Sequence, residues 1–258
     1  MTQPTYDADF YATRSARTSH AAECILACLF EAYHPSSAVD IGCGTGTWLS
    51  AARRAGATEV HGIEGTWLPE TGLDIESERI ERRNLEERIT GRAGADLAIS
   101  LEVAEHRSPD RGPSFVADLC ALAPVVLFSA AIPGQGGLHH IHERWQSYWI
   151  SLFAEHGYDA FDMIRPVIWH DDGIDVFYRQ NTFVFVARSH DLAQSLDGKV
   201  SEASITDIVH PVLFTAKHNQ RVAVRRNWHL FCRAVWQKAA RLVGRRVQNP
   251  PVMLPDRK

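Results

Sequence analysis

Hydrophobic and polar positions alternate in two distinct ways along this 258-residue chain. Short apolar runs predict buried β-strands, and the stretches between them carry apolar residues three or four positions apart, as amphipathic helices do. Strands that alternate with helices favour right-handed β-α-β crossovers and a parallel sheet covered by helices on both faces. Strands are predicted at residues 38–41, 59–63, 79–84, 96–101 and 125–131, helices at 47–55 and 143–156, and a late strand at 181–187.

The same pattern divides the chain into three regions. Residues 18–33 have helical spacing after Thr and Ser capping candidates, so residues 1–36 are predicted to carry a covering or lid helix. Residues 37–190 form the predicted α/β core. Residues 191–258 are predicted to be a helical C-terminal extension.

Three alternating glycines follow the first predicted strand, in the segment SAVDIGCGTGTW at residues 37–48. Gly42, Gly44 and Gly46 allow a tight bend and a close approach of the backbone to a ligand, at the carboxyl end of a parallel strand. A dinucleotide site requires the spacing G-x-G-x-x-G, but here the third glycine comes one position early and Thr47 stands in its place. The spacing therefore favours a nucleotide-type ligand other than a dinucleotide.

The block Asp-Ile-Gly-Cys-Gly-Thr-Gly, with Asp40 two residues before the first glycine, resembles the first motif of the class I S-adenosylmethionine-dependent methyltransferases. The resemblance covers about residues 37–188. It implies a Rossmann-like, mostly parallel seven-stranded sheet, in which the late strand at 181–187 is antiparallel. It also implies S-adenosylmethionine as cofactor, with the glycine turn at its methionine part and Asp40 ordering its amino group.

Further cofactor contacts are predicted at the ends of later strands. Glu64 ends the second strand about twenty residues after the glycine turn, where a carboxylate can accept hydrogen bonds from both ribose hydroxyls. The resemblance places Asn84 and Leu85 near the adenine, although the family usually carries an acid before the hydrophobic residue there. It also counts Leu101, at the end of the fourth strand, among the cofactor contacts.

A second group of candidate residues lies in the string Ser-Leu-Glu-Val-Ala-Glu-His at residues 100–106. Glu102, Glu105 and His106 have the spacing i, i+3 and i+4, so one helical turn would put them on one face. Two carboxylates beside an imidazole are costly to bring together unless a cation joins them, and such ligands suit Mg²⁺, Mn²⁺ or Fe²⁺ better than structural zinc. The string resembles the metal motif of ubiquinone-type O-methyltransferases and of small-RNA 2′-O-methyltransferases. The alternative is a metal-free turn in which the glutamates only orient loops.

The loop after the fifth strand, residues 131–143, carries three histidines between glycines. In an extended loop His140 and His142 share one side and His139 faces the other. We expect His140 to be the fourth metal ligand and His139 to be an alternative ligand or the general base. Glu102, His139 and His140 are therefore the candidate catalytic residues, and the alternative is a histidine-rich surface loop.

Aromatic residues follow this loop at helical spacing. Trp145, Tyr148 and Trp149 form a face that either walls an acceptor pocket or belongs to the core. The loop, this helix and the string Tyr-Arg-Gln-Asn at residues 178–181 resemble a group of bacterial methyltransferases from biosynthetic gene clusters. That resemblance implies a small secondary-metabolite or sugar-like acceptor.

The composition, 45% hydrophobic and 22% charged with a pI near 6.3, suits one large α/β domain with or without an appendage. No apolar run is long enough to span a membrane and no signal-peptide pattern begins the sequence, so a cytoplasmic protein is expected. Five cysteines without a C-x-x-C pair indicate reduced thiols.

Charge separates the C-terminal region from the rest of the chain. Residues 211–255 contain nine Lys or Arg and no acid, and residues 214–247 have the spacing of a basic amphipathic helix. We expect this helix to dock on the acidic core, within one subunit or across a homodimer. The other interpretations are an anionic partner and a membrane surface.

Together these patterns predict methyl transfer from S-adenosylmethionine to an oxygen of a small hydroxylated acceptor, assisted by a divalent metal. An acidic core argues against a nucleic-acid substrate, because phosphate contacts normally dominate nucleic-acid affinity. The alternatives are an RNA 2′-O-methyltransferase, a metal-independent N-methyltransferase and a catalytically silent cofactor-binding scaffold.

Overall fold

The computed structural model describes residues 8–91, 94–201 and 203–220, together with residues 228, 231, 232 and 235. The chain divides into two compact units, residues 1–210 and residues 211–258. The first unit ends at His210, and the core boundary expected at residue 190 stays a prediction. His210 anchors its end, because the backbone N–H of His210 donates to the side-chain carbonyl of the buried Gln180 over 2.7 Å.

The first unit contains a seven-stranded sheet with the strand order β3-β2-β1-β4-β5-β7-β6. Strands β1 to β5 are parallel, and β7 runs antiparallel to both β5 and β6. This arrangement confirms the predicted Rossmann-like class I methyltransferase fold, including the antiparallel late strand. The strands are β1 Ser37–Ile41, β2 Glu59–Glu64, β3 Ile80–Arg82, β4 Leu97–Leu101, β5 Val125–Ser129, β6 Tyr158–Phe161 and β7 Phe183–Ala187.

The strand register aligns the ends that carry the candidate site residues. Asp40 of β1 pairs with Gly62 of β2 on one side and with Ile99 of β4 on the other. Leu101, the last residue of β4, pairs with Ser129, the last residue of β5. The glycine turn, the E-x-x-E-H string and the histidine loop therefore all leave the sheet at one edge, where α/β proteins bind ligands.

Helices cover both faces of the sheet and bury two apolar clusters. Alternate side chains of the strands enter different clusters, as the two-residue period of a strand requires. Helices α1, α2, α5, α6 and α7 contribute to one cluster, and α3 and α4 contribute to the other. The helices are α1 Ala8–Phe30, α2 Thr47–Arg54, α3 Arg111–Leu122, α4 Gln146–Glu155, α5 Arg165–Ile168, α6 Val176–Asn181 and α7 Leu192–Ser195, with short 3₁₀ turns at Ser77–Arg79 and Ala104–His106.

Several boundaries differ from the predicted ones for local reasons. Helix α4 begins at Gln146 rather than at residue 143, because Arg144 still donates its backbone N–H to Ala131. Strand β7 begins at Phe183 rather than at residue 181, because Asn181 ends α6. Strand β6 and helix α3 were not located from the sequence.

The second unit is described only in part. Residues 211–220 are helical, as are the described residues 228, 231, 232 and 235. Most of the predicted basic helix at residues 214–247 lies outside the described residues, and its docking stays a prediction. Among the described helices, none combines the length and the apolar character needed to cross a bilayer.

Candidate active site

The glycine turn after β1 has the conformation that glycine favours. Gly42, Gly44 and Gly46 have φ values of 81°, 54° and 92°. A Cβ placed on Gly42 would lie 2.4 Å from a methyl group of Val103, the residue between Glu102 and Ala104. The turn therefore packs directly against the E-x-x-E-H string, and a side chain at Gly42 would separate the two.

Asp74, which the sequence reasoning did not single out, holds the second half of the turn. Its carboxylate accepts hydrogen bonds from the hydroxyl of Thr45 over 2.9 Å and from that of Thr47 over 2.6 Å. Its backbone N–H donates to the Thr45 carbonyl over 2.8 Å. These contacts keep the turn in one conformation at the start of α2.

We expect Gly42→Ala to lower the free energy of unfolding by about 2 kcal/mol, because alanine would be strained at positive φ and would contact Val103. Urea unfolding measures the change. The same substitution made in a Val103→Ala background should cost less, since only the backbone strain then remains. An unchanged stability of the Gly42→Ala variant would contradict the close packing of the turn.

Two acidic residues lie beside the turn. Glu64, at the end of β2 as predicted, accepts backbone hydrogen bonds from Gly44 over 2.8 Å and from Gly65 over 2.6 Å. Burial raises the pKa of Glu64, although these two bonds oppose the shift. Asp40 is 2% exposed, and its Oδ2 is buried without a hydrogen-bond partner. Burial and then the Glu64 carboxylate raise the pKa of Asp40 well above its usual value.

The raised pKa of Asp40 gives a stability prediction with a defined sign. When folding raises the pKa of a carboxyl, the free energy of unfolding has its full value only below the unfolded-state pKa of 3.8. As pH rises from there through the raised pKa of the folded state, the free energy of unfolding falls. Asn imitates the protonated acid, so we expect Asp40→Asn to raise the free energy of unfolding at pH 7 by about 1 kcal/mol and to leave it unchanged at pH 3.

The same variant should bind S-adenosylhomocysteine about tenfold more weakly, because a charge-assisted hydrogen bond to the cofactor's amino group would be lost. Urea unfolding at the two pH values and calorimetric titration give the two readouts. A fall in both stability and affinity at pH 7 would mean that Asp40 is only a structural residue.

The other predicted cofactor residues lie near this edge in different environments. Asn84 is exposed, and its side chain makes local bonds to Glu87 over 3.4 Å and to the backbone N–H of Glu86 over 3.1 Å. Leu85 and Leu101 are 1% and 8% exposed and belong to the apolar clusters. Their roles towards a cofactor stay predictions.

The E-x-x-E-H string does not form the single helical turn that its spacing predicted. Glu102 has a left-handed conformation with φ 57°, and only Ala104–His106 form a 3₁₀ turn. The prediction that Glu102, Glu105 and His106 share one helical face was therefore wrong. The backbone reverses at Glu102 because its N–H donates to the carbonyl and the hydroxyl of Ser129, at 3.0 and 3.1 Å.

Glu105, His106 and His140 form a compact cluster. One ligand atom of each lies within 4.8 Å of the others, and Nε2 of His140 is 3.9 Å from Oε1 of Glu105. Glu105 is fully buried, and neither of its carboxylate oxygens makes a hydrogen bond of ordinary geometry. Burial and then the Glu102 carboxylate raise the pKa of Glu105 well above its usual value, although the backbone N–H groups of Glu105 and Ala131 lie near enough to oppose the shift. A buried carboxylate with such weak donors is a costly group that a cation would stabilise.

Glu143 orients His140 towards Glu105. Nδ1 of His140 lies 3.1 Å from Oε1 of Glu143. A neutral imidazole that donates from Nδ1 to this carboxylate would leave Nε2 as the ligand atom. Glu143 is itself fixed by backbone bonds from Gly134 and Gly136, over 2.7 and 2.6 Å. A carboxylate that accepts from the far nitrogen of a histidine is typical of metal sites.

Glu102 lies beside this cluster but is held by buried amides. Its Oε2 accepts from Nε2 of Gln135 over 2.8 Å, and its Oε1 accepts from Nδ2 of Asn181 over 3.1 Å. Gln135 and Asn181 are 6% and 2% exposed and also bond to each other over 2.9 Å. Burial raises the pKa of Glu102, whereas these amide donors lower it.

The sequence reasoning assigned no role to Gln135, Asn181 or Glu143. Asn181 lies in the string at 178–181 that was noted as a shared feature, and the other two lie in the histidine loop. The sequence signal was only that these residues lie in segments already noted, because the contacts that define their roles join distant parts of the chain.

The three histidines of the loop take different positions. His140 joins the Glu105 cluster, as predicted. His139 is exposed and has φ 60°; among the described residues that are not glycine, only His139 and Glu102 have positive φ. His142 is 2% exposed, and its ring packs against Tyr148 and Trp149. Backbone strain of this kind collects at functional sites.

The three aromatic residues of the predicted face, Trp145, Tyr148 and Trp149, differ in how deeply they are buried. Trp149 is 2% exposed and packs against Phe128 with ring centroids 5.4 Å apart, so it belongs to the core. It also lines a small internal cavity together with Gln146 and Asn181, and its role towards an acceptor stays a prediction. Tyr148 is partly buried, and the guanidinium of Arg144 lies 5.2 Å from its ring centroid. Trp145 is 40% exposed and is the residue of the three that is open to a ligand.

The fold is thus of the Rossmann-like class I methyltransferase type, with a glycine turn and a carboxylate-histidine cluster at one edge of its sheet. No protein-family model and no curated protein matches the sequence. Solved structures do match. One is the methyltransferase domain of the bacterial protein CtHen1, 18% identical over 66% of this chain and 98% of that chain, with a TM-score of 0.48.

Two further matches are also methyltransferases. Magnesium protoporphyrin IX methyltransferase from Synechocystis PCC 6803, with bound S-adenosylhomocysteine, is 16% identical over 72% of this chain and 90% of that chain, with a TM-score of 0.48. The amino pentose methyltransferase CalS10 from Micromonospora echinaspora, with bound S-adenosylmethionine, is 15% identical over 72% of this chain and 99% of that chain, with a TM-score of 0.48. At this level of similarity, the argument for a function rests on the residues of the site.

Proposed function

We propose that this protein is an S-adenosylmethionine-dependent methyltransferase that methylates an oxygen of a small hydroxylated acceptor with the help of a divalent metal. The observation that carries the proposal is the fully buried Glu105 carboxylate, whose oxygens make no hydrogen bond of ordinary geometry and which lies beside His106 and His140. This cluster adjoins the glycine turn through the contact between Gly42 and Val103.

The residues of the turn fit the cofactor. Asp40 has a buried oxygen that lacks a donor, as a site for an amino group requires. Glu64 presents a carboxylate at the strand end, where ribose hydroxyls would replace or share its backbone donors. S-adenosylmethionine supplies an electrophilic methyl group on a positively charged sulfur.

The residues of the cluster fit a divalent cation. Glu105, His106 and His140 would hold it, and Glu102 would add a ligand on release from its amide donors. Oxygen ligands with imidazole suit Mg²⁺, Mn²⁺ or Fe²⁺. When bound, such an ion supplies a Lewis acid that orients the acceptor hydroxyl and makes it more acidic.

The acceptor oxygen attacks the methyl carbon in line with the departing sulfur, whose bond electrons stay on S-adenosylhomocysteine. The main contribution of the protein is to hold the two groups in that alignment. His139 is exposed in the loop after β5 and is the proposed acceptor of the hydroxyl proton. Trp145 offers an exposed aromatic surface against which the acceptor can pack.

The test is calorimetric titration of S-adenosylhomocysteine into chelator-treated protein, followed by Mg²⁺ or Mn²⁺ in the same cell. Cofactor binding followed by a metal isotherm supports the proposal, and methylation of vicinal diols or catechols by the metal-loaded protein would identify the acceptor class. Cofactor binding without metal heat would favour metal-independent chemistry on amines. If S-adenosylhomocysteine does not bind, the glycine turn is not a site for this cofactor and the proposal is wrong.

A further inference from the structure

A second group of metal-ligating side chains lies on α1, away from the glycine turn and the Glu105 cluster. His20 and Cys24 are four residues apart on α1, so they project from the same face of the helix. Asp171 reaches them from the loop between α5 and α6, 151 residues along the chain from His20. One ligand atom of each lies within 4.8 Å of the other two.

The distances within this group match those of a tetrahedral ion. Nε2 of His20 is 3.2 Å from Oδ2 of Asp171 and 3.7 Å from Sγ of Cys24. A tetrahedral zinc ion with ordinary bond lengths separates its nitrogen and oxygen ligands by about 3.3 Å and its nitrogen and sulfur ligands by about 3.6 Å. Sγ of Cys24 is also 3.8 Å from Nδ1 of His20, and the i, i+4 spacing on α1 by itself brings these two side chains together. The helix spacing does not account for Asp171, which approaches both of them from a distant loop.

The surroundings of the group favour a fixed geometry. The backbone N–H of Gly173 donates to Oδ1 of Asp171 over 2.8 Å, which turns Oδ2 towards His20. Arg17, on the same helix, pairs with Asp175 over 3.0 Å and so fastens the loop to α1 on one side of the group. The side chains of His20 and Asp171 are 48% and 37% exposed, so water can reach a fourth position.

We propose that His20, Cys24 and Asp171 bind a zinc ion, with water as the fourth ligand, and that the ion links α1 to the loop before α6. One thiolate and one carboxylate balance the charge of Zn²⁺ while the imidazole stays neutral. The thiol of Cys24 releases its proton to solvent as the ion binds, so the affinity falls with falling pH. The loop that the ion would hold precedes α6, whose last residue, Asn181, donates to Glu102.

Cobalt provides a direct test, because Co²⁺ replaces Zn²⁺ and a cobalt-bound thiolate gives a charge-transfer band in the near ultraviolet. We expect Co²⁺ added to the chelator-treated full-length protein to produce this band, and Zn²⁺ to remove it by displacement. The Glu105 cluster contains no sulfur and cannot produce it. Glu105→Gln protein should therefore keep the band, which separates this test from that of the proposed function.

Cys28 supplies a matched control, because it lies one further turn along α1 and is likewise a partly buried free cysteine. We expect Cys24→Ser to abolish the band and to weaken zinc binding at least about 100-fold, whereas Cys28→Ser should leave both unchanged. His20→Ala and Asp171→Asn should each weaken zinc binding. Zinc should raise the midpoint of thermal unfolding of wild-type and Cys28→Ser protein but not that of Cys24→Ser protein.

Three results would overturn the proposal. The first is a wild-type protein that gives no thiolate band with cobalt. The second is a band that persists in Cys24→Ser protein, which would assign it to another cysteine. The third is zinc binding of equal strength in wild-type and Cys24→Ser protein, with both folded by circular dichroism.

Discussion

Glu105→Gln is expected to abolish the binding of Mg²⁺ or Mn²⁺ at this cluster and to lower turnover by at least about 100-fold, while S-adenosylhomocysteine still binds. The amide keeps the size of the side chain but removes the charge that would hold a cation beside His106 and His140. Because Glu105 is fully buried and its oxygens make no hydrogen bond of ordinary geometry, the loss of its charge should not destabilise the protein. Calorimetry with Mg²⁺ or Mn²⁺ and a methyl-transfer assay measure the two effects.

The control for this prediction is Glu155→Gln, because Glu155 is an exposed carboxylate at the end of α4. It should behave as wild type in both measurements. Turnover that falls in Glu105→Gln protein while the wild type shows no metal binding would leave Glu105 as an acid-base residue. Turnover that is unchanged would remove Glu105 from the site.

Glu64→Ala should weaken S-adenosylhomocysteine binding by about 100-fold and leave metal binding in place. The variant loses the carboxylate proposed for the two ribose hydroxyls, and charged hydrogen bonds are worth about 1.5–3 kcal/mol each. It also leaves the backbone N–H groups of Gly44 and Gly65 without their acceptor, which loosens the turn. Calorimetric titration measures the affinity.

Glu59→Gln is the matched control, since Glu59 begins the strand that Glu64 ends and lies at the opposite edge of the sheet. Its side chain is 64% exposed and pairs with Arg79 over 3.2 Å, so its loss should change neither affinity nor fold appreciably. Equal cofactor affinity in Glu64→Ala and wild-type protein would refute the ribose assignment and, with it, the orientation proposed for the cofactor.

The parts of the site that depend on residues close together in the sequence could be predicted from the sequence. Gly42, Gly44 and Gly46 indicated a turn with positive φ, and all three have it, because only glycine adopts that conformation without strain. Glu64 was placed at a strand end by the apolar run before it. The sheet itself was predicted from the alternation of strand and helix periods, since each period is a local property of the chain.

The parts that depend on distant contacts could not be predicted. Glu102 was assigned to a helical turn on its spacing, but Ser129 of the neighbouring strand accepts from its N–H, and the backbone reverses there. The helical spacing of Trp149 fits an exposed face and a buried face of α4 equally well. Only its packing against Phe128 distinguishes the two. Spacing gives the face of a helix, but not what lies opposite that face.

The sequence by itself determined the class of sheet, the glycine turn and the residues available for chemistry at its edge. The tertiary structure alone decided which of those residues meet, because burial and pairing arise between segments far apart in the chain. Desolvation of Glu105 requires β4, β5 and the histidine loop to close around it, and Asp171 approaches Cys24 only when α1 packs on the sheet. A side chain acquires its charge state and its partners from that environment, which no short segment contains.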